Sequence, residues 1–222
     1  MASLLVPWLV IGGIVVAVVV GIRRARAARI AKARAMAAQY GFEVDVDSKG
    51  PPGQPFDLFE RGHSRKVTFQ FWRPGRHDSV FSYEYTTGSG KNSTTHRHTC
   101  ALVALPFVAP HTKIGPEGFW SGIGKKLGIR DIEVESPTFN ERYRVNGDDE
   151  RFAVTMLDGR AIDWFLRDEG GRSMRYEFWG PWLLCVADRM DLERYFGYHD
   201  WAAGIPEHLP DVLPSLYPAR TT

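Results

Sequence analysis

Residues 3–22 read SLLVPWLVIGGIVVAVVVGI, twenty positions without a charged side chain. The next twelve, residues 23–34, hold six basic groups and no acid: Arg23, Arg24, Arg26, Arg29, Lys32 and Arg34. Twenty helical residues rise about 30 Å, the thickness of a bilayer's hydrocarbon core. A secretory signal peptide places its positive charge before the apolar stretch and small residues after it. Here the order is reversed, and the start, Met1-Ala2-Ser3, is uncharged. The sequence therefore implies an uncleaved transmembrane anchor over residues 1–22. Basic flanks stay on the cytoplasmic side. The expected topology is a single pass in the plasma membrane, with a short outer N-terminus and the C-terminal domain cytoplasmic. Trp8 falls near the outer end, where indole rings settle at the membrane interface.

Within the run, Gly13, Ala17 and Gly21 are spaced by four and share one helix face. Small residues at that spacing allow two membrane helices to approach closely. A span rich in Val, Gly and Ala also produces the pattern by composition alone. Residues 23–41 form a basic membrane-proximal helix rich in alanine, and Tyr40-Gly41 supplies its stop. Each basic group near the surface attracts anionic lipid by about 1 kcal/mol. The same six charges also serve as an ordinary topology signal.

The formal charge of +2 hides an asymmetry. Residues 1–42 contain six of the 28 Lys and Arg and none of the 26 Asp and Glu. The remainder has 22 basic against 26 acidic groups, a net of −4. Such a domain is a poor partner for nucleic acid, whose phosphates need a basic surface. Two cysteines, Cys100 and Cys185, do not make a disulfide framework, which suits a reducing compartment.

Beyond the anchor the patterning is that of an α+β domain on an antiparallel sheet, over residues 42–205. Residues 42–46 alternate apolar and acidic. Residues 66–72 alternate with Val67, Phe69 and Phe71 on one face, and residues 80–85 place Phe81, Tyr83 and Tyr85 together. Residues 94–105 read as a long strand, completing a meander. Helices are expected over residues 116–126, from a cap at Asp148-Asp149 through Leu157, over 159–166 and over 192–203. Residues 132–134 suit a strand, and 138–145 fit either type. Residues 174–186 read as a hairpin about Gly180-Pro181. The Pro-rich tail, residues 206–222, is expected to be extended.

Chemistry is sparse. Residues 88–92 (GSGKN) fail the phosphate-loop pattern: Tyr85 stands where its first glycine belongs, Asn92 replaces the Ser or Thr, and a strand follows instead of a helix. Asp148, Asp149 and Glu150 are adjacent at a turn, which suits helix capping better than acid–base work across a pocket. No G-x-S-x-G elbow occurs. The sharpest set is His96, His98 and Cys100, which alternate along a strand and so share a face. His and Cys are zinc ligands, and a tetrahedral site needs one more, from His63, His77 or His111. The competing reading is a polar strand end with Cys100 entering the core.

Residues 85–99 (YTTGSGKNSTTHRHT), 132–145 (IEVESPTFNERYRV) and 148–166 (DDERFAVTMLDGRAIDWFL) occur in that order. With them, residues 55–205 resemble a group of bacterial proteins with one N-terminal membrane helix and a cytosolic β-rich domain of no assigned activity. The resemblance implies architecture and supplies no site residues. The sequence as a whole points to a module at the inner membrane surface that binds a protein or lipid partner, without a coherent catalytic set. A metal-dependent enzyme or sensor using His96, His98 and Cys100 is one alternative. A structural subunit of a membrane complex is another.

Overall fold

A computed structural model of the chain describes residues 5–46, 53–116, 130–167 and 174–219, with side chains from residue 13 onward except at 130 and 131. The expected helix over 116–126 and the side chain of Trp8 fall outside the described residues. The first element, α1 (Leu5–Tyr40), is one unbroken helix of 36 residues. Gly41 ends it at φ +72°. The Phe42 N–H then donates to the Ala37 carbonyl at 2.8 Å, and the Gly41 N–H to that of Ala38 at 3.4 Å. This paired closure needs a left-handed residue, which glycine adopts without a Cβ clash. Among the described residues no helix is long and apolar enough to cross a membrane. Described side chains over residues 13–22 supply only ten positions before the basic block, about 15 Å of helix.

Among the described residues, seven strands form one antiparallel sheet: β1 (Glu43–Asp45), β2 (His63–Trp72), β3 (Ser79–Thr87), β4 (Thr94–Gly115), β5 (Arg130–Ile132), β6 (Arg144–Gly147) and β7 (Arg175–Asp188). Their order is β1-β2-β3-β4-β6-β5, with β7 along the other edge of β4. The meander read from the alternation is present. At 22 residues β4 is the spine, pairing β3 early, β6 late and β7 along most of its length. It runs ten residues beyond its expected end. Its register slips between Ala104 and Thr112, the stretch holding Pro106 and Pro110, which have no N–H to give the ladder.

Two expectations are corrected by pairing. Residues 174–186 do not form a hairpin: both halves of β7 pair β4, and Gly180 sits opposite Ala109 at φ +59° as a kink within one strand. The residues 67, 69 and 71 do not share a face. Phe69 has φ +52°, and the β2–β3 register shifts between Thr68 and Phe71. This bulge sends Val67 and Phe71 to opposite sides of the sheet.

Those sides carry two cores. One face presents Phe71, Val80, Ala101, Val103, Leu183 and Cys185. It is covered by α4 (Glu150–Met156), α5 (Gly159–Leu166), α6 (Tyr195–His208) and the end of α1, through Phe152, Phe165, Phe196 and Ala33. The other face presents Val67, Phe81, Tyr83, Leu102 and Val186, under Leu58 and Phe59 of the short α2 (Asp57–Glu60). Caps fix the helix starts. Asp149 accepts the Phe152 N–H at 2.9 Å, and Asp158 that of Ala161 at 2.9 Å. Ser136 caps α3 (Pro137–Arg142), whose first residue is a proline suited to that place.

The C-terminal segment is not an extended tail. Pro206 lies inside α6, and α7 (Leu213–Leu216) follows, with Leu209 and Leu213 buried. Tyr217 closes the segment on the sheet: its carbonyl accepts the Val108 N–H at 3.0 Å and its hydroxyl donates to Asp149 at 3.2 Å. A proline in the last turn of a helix still breaks the backbone ladder locally. Here Leu209 and Leu213 bury enough apolar surface to hold the chain down.

Candidate functional site

The predicted ligands His96, His98 and Cys100 do share a face of β4. Tyr85 stacks on His96 at 4.8 Å and on His98 at 5.9 Å, and Cys100 lies in the smaller core. Each has its own setting. His96 Nε2 hydrogen-bonds the Thr87 hydroxyl at 2.9 Å. His98 is 8% exposed, and neither ring nitrogen has a hydrogen-bond partner. Burial pulls its pKa down to about 4, and the nearby Arg175 guanidinium adds to the shift. The Cys100 thiol is wholly buried, and that burial pushes its pKa up, away from the thiolate that binds metals. Cys100 and Cys185 are both buried, and neither forms a disulfide.

A different set converges under α2. The Glu177 carboxylate is wholly buried on β7, directly opposite Lys113 of β4. Its Oε1 accepts the backbone N–H of Asp57 at 3.1 Å and lies 2.7 Å from His111 Nε2. His111 stacks on Trp179 at 3.9 Å. Lys113 forms an ion pair with Asp57, and both are buried. Glu177 Oε2 has no hydrogen-bond partner. Burial raises the Glu177 pKa, against the lowering effect of His111 and the Asp57 N–H. Asp57, His111 and Glu177 each offer a ligand atom within 4.8 Å of the other two. One nitrogen and two oxygens suit a divalent ion. The Lys113 ammonium already neutralises Asp57, however, so the cluster contains its own cation. Of this group the sequence reading reached only His111. Glu177 and Lys113 carried a weak signal: each is a charge set between strand-forming neighbours, Tyr176 and Phe178 for the one, Thr112 and Ile114 for the other.

The basic helix contributes a cleft. Ala33 and Ala37, four residues apart, are buried against the sheet, and Tyr40 stacks on Phe196 at 4.6 Å. This seats the C-terminal half of α1 on the domain. Arg29 then lies over the ring of Phe69, 5.4 Å from its centroid, and Lys32 pairs with Glu193. The bulge in β2 is what brings Phe69 there. Between α1 and the turn after β7 lies a cleft of about 350 Å³. Its walls include Arg29, Lys32 and Arg189, the carboxylates Asp191 and Glu193, and the apolar Phe69, Met190 and Leu192. Tyr195 and Ser82 bring hydroxyls, and burial raises the Tyr195 pKa so that its phenol stays protonated. Arg24 and Arg34 point into solvent and take no part. Further along α1, Gly13 and Gly21 face open space.

No protein-family model matches the chain, and no curated protein matches it significantly. A solved structure that does match is the crystal structure of the mycobacterial trehalose monomycolate transport factor A, TtfA. The alignment has a TM-score of 0.53 at 11% identity and covers 86% of this chain and 96% of that one. The likeness is one of fold. It supports a mixed α+β domain on an antiparallel sheet.

Proposed function

We propose that this chain is a membrane-tethered interaction module, held by α1 at the cytoplasmic surface, where its domain engages a protein or lipid partner. One observation carries the reading. The helix α1 runs unbroken from its apolar half into its docked half, yet Ile14, Val15, Val16, Val18, Val19, Val20 and Ile22 are 40–64% exposed. Nothing else among the described residues covers them. Contiguous aliphatic surface of that kind calls for an apolar surrounding. The apolar run of the sequence is long enough for that surrounding to be a bilayer, and the basic flank favours a cytoplasmic domain. The fold shared with a transport factor is compatible with such a role.

Two measurements on the full chain in bacterial membranes test this. Alkaline carbonate should leave the protein in the membrane pellet; release into the supernatant sinks the tether. A reporter active only in the cytoplasm, fused after Thr222, should give signal. Silence there, with an extracytoplasmic reporter active, reverses the orientation.

A further inference from the structure

We propose that the cleft between α1 and the turn after β7 binds the headgroup of an anionic phospholipid whose headgroup carries hydroxyls, drawn from the membrane that holds α1. The inference rests on the tethered reading above and names the ligand.

Position is the first argument. Arg29 follows Ile22 by seven residues, about 10 Å along the helix axis. Side chains on a helix tilt toward its N-terminus, here toward the bilayer. The headgroup layer extends roughly 5–8 Å beyond the hydrocarbon core. The guanidinium of Arg29 therefore reaches the headgroup layer while its helix stays docked on the domain.

Chemistry is the second. Arg29 and Arg189 supply planar forks that match phosphate oxygens, and Arg189 is exposed at the rim. Lys32 and Glu193 are each about half exposed, so their ion pair contributes little and Lys32 can turn to a phosphate. Three cations face two carboxylates across the cleft, leaving it net positive. Asp191 and Glu193 accept hydrogen bonds, which the ionised phosphodiester of a lipid cannot donate and the hydroxyls of a glycerol or inositol headgroup can. Phe69, Met190 and Leu192 give the glyceryl backbone an apolar wall.

The test uses the full chain in nanodiscs, with melting followed by tryptophan fluorescence. One set is neutral phosphatidylcholine, a second contains phosphatidylglycerol, and a third is neutral with inorganic phosphate in the buffer. Phosphatidylglycerol should raise the melting temperature by about 5 °C, while phosphate leaves it unchanged. The Arg29→Ala/Arg189→Ala pair should lose that rise. The Arg24→Ala/Arg34→Ala pair should keep most of it. Diffuse attraction predicts the opposite order, because Arg24 lies nearer the membrane than Arg29. Should the first pair not melt cooperatively, Arg189→Gln alone, at the exposed rim, should halve the rise. No rise with phosphatidylglycerol, an equal rise with phosphate, or equal losses in both pairs would each overturn the proposal. Failure of the tether itself reads out separately, as a chain that does not enter neutral nanodiscs.

Discussion

His98 is a base kept neutral by its surroundings. Burial, then Arg175, His96 and Arg61, disfavour its imidazolium, and only Asp188 favours it. Unfolded, the ring titrates near 6.5; folded, near 4. Between those values the unfolded chain binds more protons, so stability rises with pH across the window. The contribution is complete above about pH 6.5 and is lost as pH falls toward 4, a span worth about 3 kcal/mol. Urea midpoints of His98→Phe, which keeps the ring against Tyr85, should vary less between pH 4 and 6.5 than those of the parent. An unchanged profile would place the acid sensitivity elsewhere. Glu177 has the opposite sign. Its raised pKa means the folded state holds its proton more tightly, so its contribution falls as pH rises past the ordinary carboxylate value. Lys113 is the neighbour that makes the cluster tolerable. Lys113→Met leaves Asp57 buried without its cation and should cost about 3–5 kcal/mol in urea unfolding. Adding Asp57→Asn should restore much of that loss, since both charges are then gone. Two independent, additive losses would show that the pair does not act as a unit.

At the scale of elements, the C-terminal half of α1 is part of the domain, whatever its apolar half contacts. Ala33 has no exposed surface and packs in the larger core, whereas Ala35 points outward. Ala33→Leu should therefore destabilise the domain by about 1–3 kcal/mol through overpacking, and Ala35→Leu should be near neutral. Equal effects in denaturant melts would mean the helix is not seated as described. The elements that could be read from sequence were those with a local signature. Alternation at 80–85 gave β3 its face, and Asp149 ahead of an apolar run gave α4 its start. What could not be read depended on partners distant along the chain. A hairpin about Gly180 and a single strand kinked there have the same local pattern, and only pairing with β4 separates them. The face switch at Phe69 requires a bulge that the Val-Thr-Phe-Gln-Phe alternation conceals. The buried cluster was hidden for the same reason. Lys113 and Glu177 become neighbours only through the β4–β7 register, and each alone resembles a solvated charge. The basic cleft was half legible: the six cations stood out, but Arg189 and the acidic rim did not.

For the whole molecule, the proposed tether and the unbroken helix together would make membrane and domain one rigid geometry. The helix passes from its apolar half to the buried Ala33 and Ala37 without a break, so the distance of the cleft from the bilayer is set by residue count. That distance can be changed without altering any residue of the cleft. Seven alanine-rich residues inserted between Ile22 and Arg23 turn the domain by two revolutions less about 20°, so the cleft keeps nearly the same heading. The insert also lifts the domain by about 10 Å, which takes Arg29 from the headgroup layer into water. The lengthened chain should still pellet after carbonate treatment, and its domain should melt at the same temperature in neutral nanodiscs. The rise produced by phosphatidylglycerol should disappear. Inserting seven residues after Gly41 instead leaves the Ile22-to-Arg29 spacing intact but separates the helix from the sheet that completes the cleft. That variant should lose the rise as well, and with it the seat of Ala33 and Ala37, so its melting temperature should drop even in neutral lipid. A lipid effect that survives the first insertion would mean that the basic helix attracts the membrane along its length, and that the domain has no fixed height above it.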